Sequence, residues 1–147
     1  MSGAGDVNGG GFADLIAGAP LDDNNGVSSG SARVFSGSDG SVLYTFNGDA
    51  VQDFFGTSVS GVGDVNSDGF DDFIVGAGAR TRVFSGSDGS VLYNFDGRSG
   101  SVSGAGDVNG DGFDDLIVGE NGTPARVFSG SDGSLIYNLQ GLSLIHI

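Results

Sequence analysis

Three stretches of this chain repeat the same order of residues, and a chain made of short repeats folds as stacked copies of one small unit. The units begin at Gly3, Gly61 and Gly104. Each runs Gly-x-Gly-Asp-Val-Asn, then a short apolar stretch, then Arg-Val-Phe-Ser-Gly-Ser-Asp-Gly-Ser, then an aromatic stretch. The first interval is longer because of two loops, Pro20 to Gly30 and Asp49 to Phe55, where a repeat fold tolerates insertions.

Four strands are predicted per unit, taking the second as the pattern. Thr57 to Gly63 is built of small residues, as expected where several sheets converge. Phe73 to Ala77 is an apolar run of strand length. Arg82 to Ser85 is the third strand and Val91 to Phe95 the fourth, with Ser87-Asp88-Gly89-Ser90 as a tight hairpin turn. Four short antiparallel strands repeated with fixed turn chemistry describe a propeller blade. The expected fold is therefore all-β, a partial β-propeller of three four-stranded antiparallel blades over residues 1–48, 49–97 and 98–141.

Between the first two strands lies an acidic nine-residue loop, Asp64-Val65-Asn66-Ser67-Asp68-Gly69-Phe70-Asp71-Asp72, with a near-copy from Asp107 to Asp115. Oxygen-bearing side chains fall at positions 1, 3, 5 and 9, and glycine stands at position 6, where the backbone must bend to aim them at one point. Ca²⁺ takes six to eight oxygen ligands at roughly 2.3–2.6 Å. The expected ligands are Asp64, Asn66, Asp68, Asp72 and the Phe70 carbonyl in one loop, and Asp107, Asn109, Asp111, Asp115 and the Phe113 carbonyl in the other. In the first unit Asp6, Asn8, Phe12 and Asp14 keep their places, but Gly10 replaces the acid at position 5 and Ala13 the acid at position 8, so this site is expected to be weaker or empty. An EF-hand needs a bidentate Glu at position 12, which here is Val75 or Val118. A dockerin-like reading of the same loop start demands a helix after each loop, where this chain has strand-like apolar runs.

Composition narrows the function. Glu120 is the one glutamate among 19 acidic residues, and lysine and cysteine are absent. A net charge of −14 with five scattered arginines argues against nucleic acid. No apolar stretch approaches the roughly 20 residues of a membrane span, so direct membrane insertion is not expected. Without disulfides, a metal is the available staple. Asp39, Asp88 and Asp132 recur but are read as turn formers, and Arg33, Arg82 and Arg126 as solvated or ion-paired strand residues. Asn121-Gly122-Thr123 fits a glycosylation sequon that is read as a chance match.

Both ends are read as cut. Met1 aligns with Val59 and Val102 in mid-strand, and Leu142 to Ile147 breaks the repeat and matches the translation of a transposon adapter used for sequencing libraries. The expectation is a fragment of a longer protein with a non-native tail at 142–147 that holds the single histidine, His146.

These residues resemble the FG-GAP repeat of integrin alpha-subunit propellers and their bacterial relatives. Phe55-Gly56 supplies the FG, Gly18-Ala19-Pro20 the GAP, and the two acidic loops match the family's D-x-N-x-D-G-x-D-D pattern. The resemblance implies a seven-bladed propeller with calcium between the first two strands of a blade, opposite the face that commonly binds partners. Arg98-Ser99 stands in place of the third FG, and GAP becomes Gly76-Ala77-Gly78 and Gly119-Glu120-Asn121, changes expected to weaken contacts between blades.

The function expected is a calcium-stabilised scaffold for protein–protein or cell-adhesion contacts, extracellular or at the cell surface, where calcium is plentiful. Its partners would be an unidentified protein or cell-surface ligand and the remaining blades of the parent propeller. The chain is not expected to be an enzyme, because it offers no ordinary nucleophile–base set. The alternative is the non-catalytic propeller portion of a larger secreted enzyme.

Overall fold

A computed structural model describes residues 1–97, 99–120 and 124–140. Every regular element among them is a strand, which removes the helix-flanked alternative, and no helix is long and apolar enough to cross a membrane. The strands form three four-stranded antiparallel sheets, each in chain order. The first holds β1 (Ser2–Gly5), β2 (Asp14–Ala19), β3 (Ser31–Phe35) and β4 (Val42–Asn47). The second holds β5 (Ser58–Gly63), β6 (Asp72–Gly76), β7 (Arg80–Phe84) and β8 (Val91–Asp96). The third holds β9 (Ser101–Gly106), β10 (Asp115–Gly119), β11 (Ala125–Phe128) and β12 (Leu135–Leu139). These are the expected blades, with strand ends moved by one or two residues. The reading of Arg98, the Asn121–Thr123 sequon and the 142–147 tail falls outside the described residues.

The small residues of β1, β5 and β9 have a packing reason. These strands stand side by side where the sheets converge, and a methyl on Gly61 would lie 2.8 Å from the Gly3 carbonyl oxygen. The turn between third and fourth strands is wider than the expected tight hairpin. Ser85 donates its N–H to the Ser90 carbonyl and Gly89 donates to Ser85, so four residues are wrapped, with Gly89 at φ 73°.

The core lies between blades. Phe73 and Phe84 of the second blade are buried with Ile16, Val34 and Phe55, and Phe46 of β4 packs on Phe84 at 4.3 Å between ring centroids. Val62, Ile74, Val83 and Phe95 meet Leu116, Val118 and Phe128 of the third blade in the same way. Burying each large side chain contributes roughly 1.5–3 kcal/mol. The FG and GAP residues meet here too: a methyl on Gly18 would overlap the Gly56 carbonyl, and at the second junction Ser99 stands against Gly76.

A tyrosine fastens each junction. Tyr44 donates its hydroxyl to the Gly86 carbonyl at 2.7 Å and Tyr93 donates to Gly130 at 2.6 Å. Tyr137 holds the same place in β12, yet it is 51% exposed and hydrogen-bonds no described residue. Tyr44→Phe and Tyr93→Phe should each lower unfolding free energy by about 0.5–1.5 kcal/mol. Tyr137→Phe should leave it unchanged, as urea titration would show.

Candidate metal centre

Each acidic loop closes the hairpin between the first two strands of its blade, so the strand pairing fixes where its side chains point. In the second blade, β5 and β6 pair from Ser58–Gly76 to Gly63–Asp72, with a bulge before the loop. Between them the chain turns back at Ser67 (φ 57°) and Gly69 (φ 89°), left-handed conformations that allow successive amides to face inward. Asp64 accepts from the Asp68 N–H (3.1 Å) and the Gly69 N–H (2.9 Å), one on each carboxylate oxygen. Asn66 Oδ1 also accepts from the Asp68 N–H, and Asp68 accepts from the Phe70 N–H at 3.0 Å. The third-blade loop repeats this: Asp107 accepts from Asp111 and Gly112, Asn109 from Asp111, and Asp111 from Phe113. Positions 1 and 3 thus converge on the position-5 amide, and position 3 donates its side-chain N–H to the position-5 carboxylate.

Position 9 does different work. Asp72 is wholly buried and accepts from the Val65 N–H (2.9 Å) and the Gly86 N–H (2.9 Å), tying its loop to the turn after β7. Asp115 takes the Val108 and Gly130 amides, and Asp14 the Val7 and Gly37 amides. Glycine is required as the second donor, because a methyl on Gly86 would overlap the Asp71 carbonyl.

Burial pushes the Asp72 carboxyl up to about 6; its two backbone donors pull the other way, while the negative charges of Asp68 and Asp64 add to the rise. At Asp68 burial also raises, but the Phe70 amide and the Ser87, Asn66 and Ser85 side chains outweigh it and hold the group below the usual range. The Phe113 amide holds Asp111 down as well. Burial raises Asp114, with Asp107 and Asp71 adding to it.

Among the described residues no three His, Cys, Asp or Glu side chains stand close enough together, as they are arranged here, to hold a metal ion. The loop acids face their own amides instead. The donor set nevertheless fits a hard divalent cation: it is all oxygen, it comes from one bent loop, and each bonded carboxylate oxygen keeps a lone pair. No lysine or arginine hydrogen-bonds or ion-pairs with these acids among the described residues, so their mutual repulsion lacks a side-chain counter-charge. Asp72 is the tightest of the expected ligands, since it is wholly buried and its two donors come from separate segments, the loop and the turn after β7. The first-blade loop keeps the same backbone path without an acid at position 5; Asp6 accepts from Gly10 and Gly11, and Phe12 is exposed.

Asp39, Asp88 and Asp132 accept from the Ser41, Ser90 and Ser134 N–H groups, which is turn chemistry. Arg82 pairs with Asp49 and lies over Phe55, Arg126 pairs with Glu120 and lies over Phe128, and Arg33 forms no ion pair among the described residues. Sequence reading missed the serines that back the loops. Ser85 donates its hydroxyl to Asp68 at 3.2 Å and Ser131 donates to Asp111 at 3.0 Å. Their signal was the recurring Ser-Gly-Ser, which also marks the glycine donor to position 9.

Three stacked four-stranded sheets, converging on their first strands and each bearing an acidic hairpin loop, define a β-propeller-type repeat protein. The sequence profile of the FG-GAP repeat matches residues 55–97 and 99–136, and the chain belongs to that family. It is 38% identical over 64 residues to integrin alpha-5 of Xenopus laevis, a match covering 44% of this chain and 6% of the integrin.

Proposed function

We propose that this chain is a calcium-braced propeller scaffold for protein contacts at the cell surface or outside the cell. The observation that carries the reading is the convergence of Asp64 and Asn66 on the Asp68 amide, with Asn66 also bonded to the Asp68 carboxylate, repeated at Asp107, Asn109 and Asp111, together with the buried carboxylates of Asp72 and Asp115. A divalent cation held by these oxygens and the Phe70 or Phe113 carbonyl would offset the repulsion and fix the hairpin, so that binding energy becomes folding energy. The likeness to an integrin alpha subunit supports the extracellular setting and an adhesive role. The role proposed is binding, with no catalysis by these residues. Further blades of a longer propeller are the proposed neighbours of the half-exposed Tyr137 face and of its counterpart on the first blade.

Calorimetric titration with calcium tests the site assignment. The wild-type chain should take up two equivalents, with the first-blade loop weaker. Asp68→Ala and Asp111→Ala should each lose one equivalent, whereas Asp88→Ala should lose none. Equal stoichiometry in all four proteins would remove the assignment.

A further inference from the structure

Position 8 of the acidic loop has no part in the cation set above, yet its carboxylate leaves its own blade. Asp71 lies across the junction against the first blade. Its carboxylate accepts the Asp6 N–H at 2.8 Å, and its own N–H donates to the Asp6 carbonyl at 3.1 Å. Asp6 opens the first-blade loop, so the end of one loop grips the start of the loop before it. The preceding residue is shaped for this grip: Gly5 has φ 75°, and a methyl there would overlap the Asp71 carboxylate.

The next junction repeats the close approach without, among the described residues, the pair of hydrogen bonds. Gly63 has φ 75°, and a methyl on it would overlap the Asp114 carboxylate of the third blade. Gly106 has nearly the same backbone, φ 68°, but a methyl there would meet nothing within 4 Å. Ala13, at position 8 of the first blade, carries no carboxylate for a contact of this kind. At both junctions the acid comes from the later blade and meets the loop start of the earlier one.

We infer that Asp71 is an inter-blade clasp, a positioning residue whose carboxylate fixes the first residue of the preceding acidic loop so that one blade completes the loop of another, and that Asp114 takes the same part against Gly63 at the next junction. Two consequences follow. The loop beginning at Asp64, held by Asp114, is better ordered than its near-copy beginning at Asp107. A further repeat stacked beyond the third blade needs an acid at its own position 8 to make the same contact.

Amide hydrogen exchange in chelator tests the clasp independently of any cation, so its failure and the failure of the calcium reading are separate results. Asp71→Ala removes a charged acceptor from the Asp6 amide and should speed its exchange by about tenfold or more. Asp71→Asn retains an acceptor oxygen and should hold the rate within about threefold of wild type, a threefold change being less than 1 kcal/mol. The Ile74 amide, inside β6, should keep its protection in both. Unchanged exchange at Asp6 in Asp71→Ala would overturn the proposal. A second comparison holds even if that variant folds poorly. Gly63→Ala and Gly106→Ala carry nearly equal backbone strain, but only the first meets a clasp. Its melting midpoint should fall about 3 °C or more below that of Gly106→Ala, and equal midpoints would contradict the clasp.

Discussion

Asp72→Ala should lower the unfolding free energy by about 3–5 kcal/mol, in chelator as well as in calcium. The carboxylate is wholly buried and its two oxygens satisfy two buried amides, Val65 at the start of the loop and Gly86 in the turn after β7. Alanine leaves both donors without an acceptor, at about 1–3 kcal/mol each, and adds a small cavity. Asp115→Ala removes the same pair of bonds at Val108 and Gly130. Asp72→Asn keeps one acceptor but turns an NH₂ toward the other donor, so its stability should fall between wild type and alanine. Urea unfolding followed by circular dichroism reads the difference. A loss below about 1 kcal/mol in chelator, the worth of one ordinary hydrogen bond, would mean that position 9 serves only as a metal ligand.

Without calcium, the Asp72 contribution to stability should fall as pH rises from about 4 to 6, opposite in sign to that of the acids held below the usual range, such as Asp68 and Asp111. The Asp72 carboxyl is raised to about 6 by burial, with Asp68 and Asp64 adding to the rise, whereas an unfolded Asp sits near 3.9. Between those values the folded state binds more protons than the unfolded one, so raising pH favours unfolding; above about 6 the effect is complete. A shift of roughly two units corresponds to at most about 3 kcal/mol. Calcium competes with the proton for the same cluster, so the stabilisation it confers should grow from pH 5 to pH 7. Urea titrations at both pH values, each with calcium and with chelator, would show this. A calcium effect of equal size at both would separate Asp72 from the cation cluster.

Much of the fold is legible in the sequence because the repeat carries it. The apolar run after each loop, the Asp-Gly turn and the small-residue strand each have a local cause, and the sheets follow from them. The acidic loop is legible as a loop for the same reason. Its outward connections are not. Asp71 looks like a second acid beside Asp72, and only the stacking of blades brings it to Asp6, 65 residues away. Asp72 reads as one ligand among four, and its burial beneath the Gly86 turn emerges only when β6 and β7 are packed together. The Ser85 hydroxyl is hidden similarly, because a serine in a turn sequence already has a local explanation.

The amides of Gly69 and Gly112 point at the Asp64 and Asp107 carboxylates, which makes them direct reporters of a cation in either loop. In an NMR titration with calcium, both resonances should shift and saturate, while Gly89 and Gly133 in the outer turns stay in place. If the two loop glycines hold still while calcium is added, or if only the turn glycines move, these loops do not hold the ion and the brace proposed for the blades is wrong.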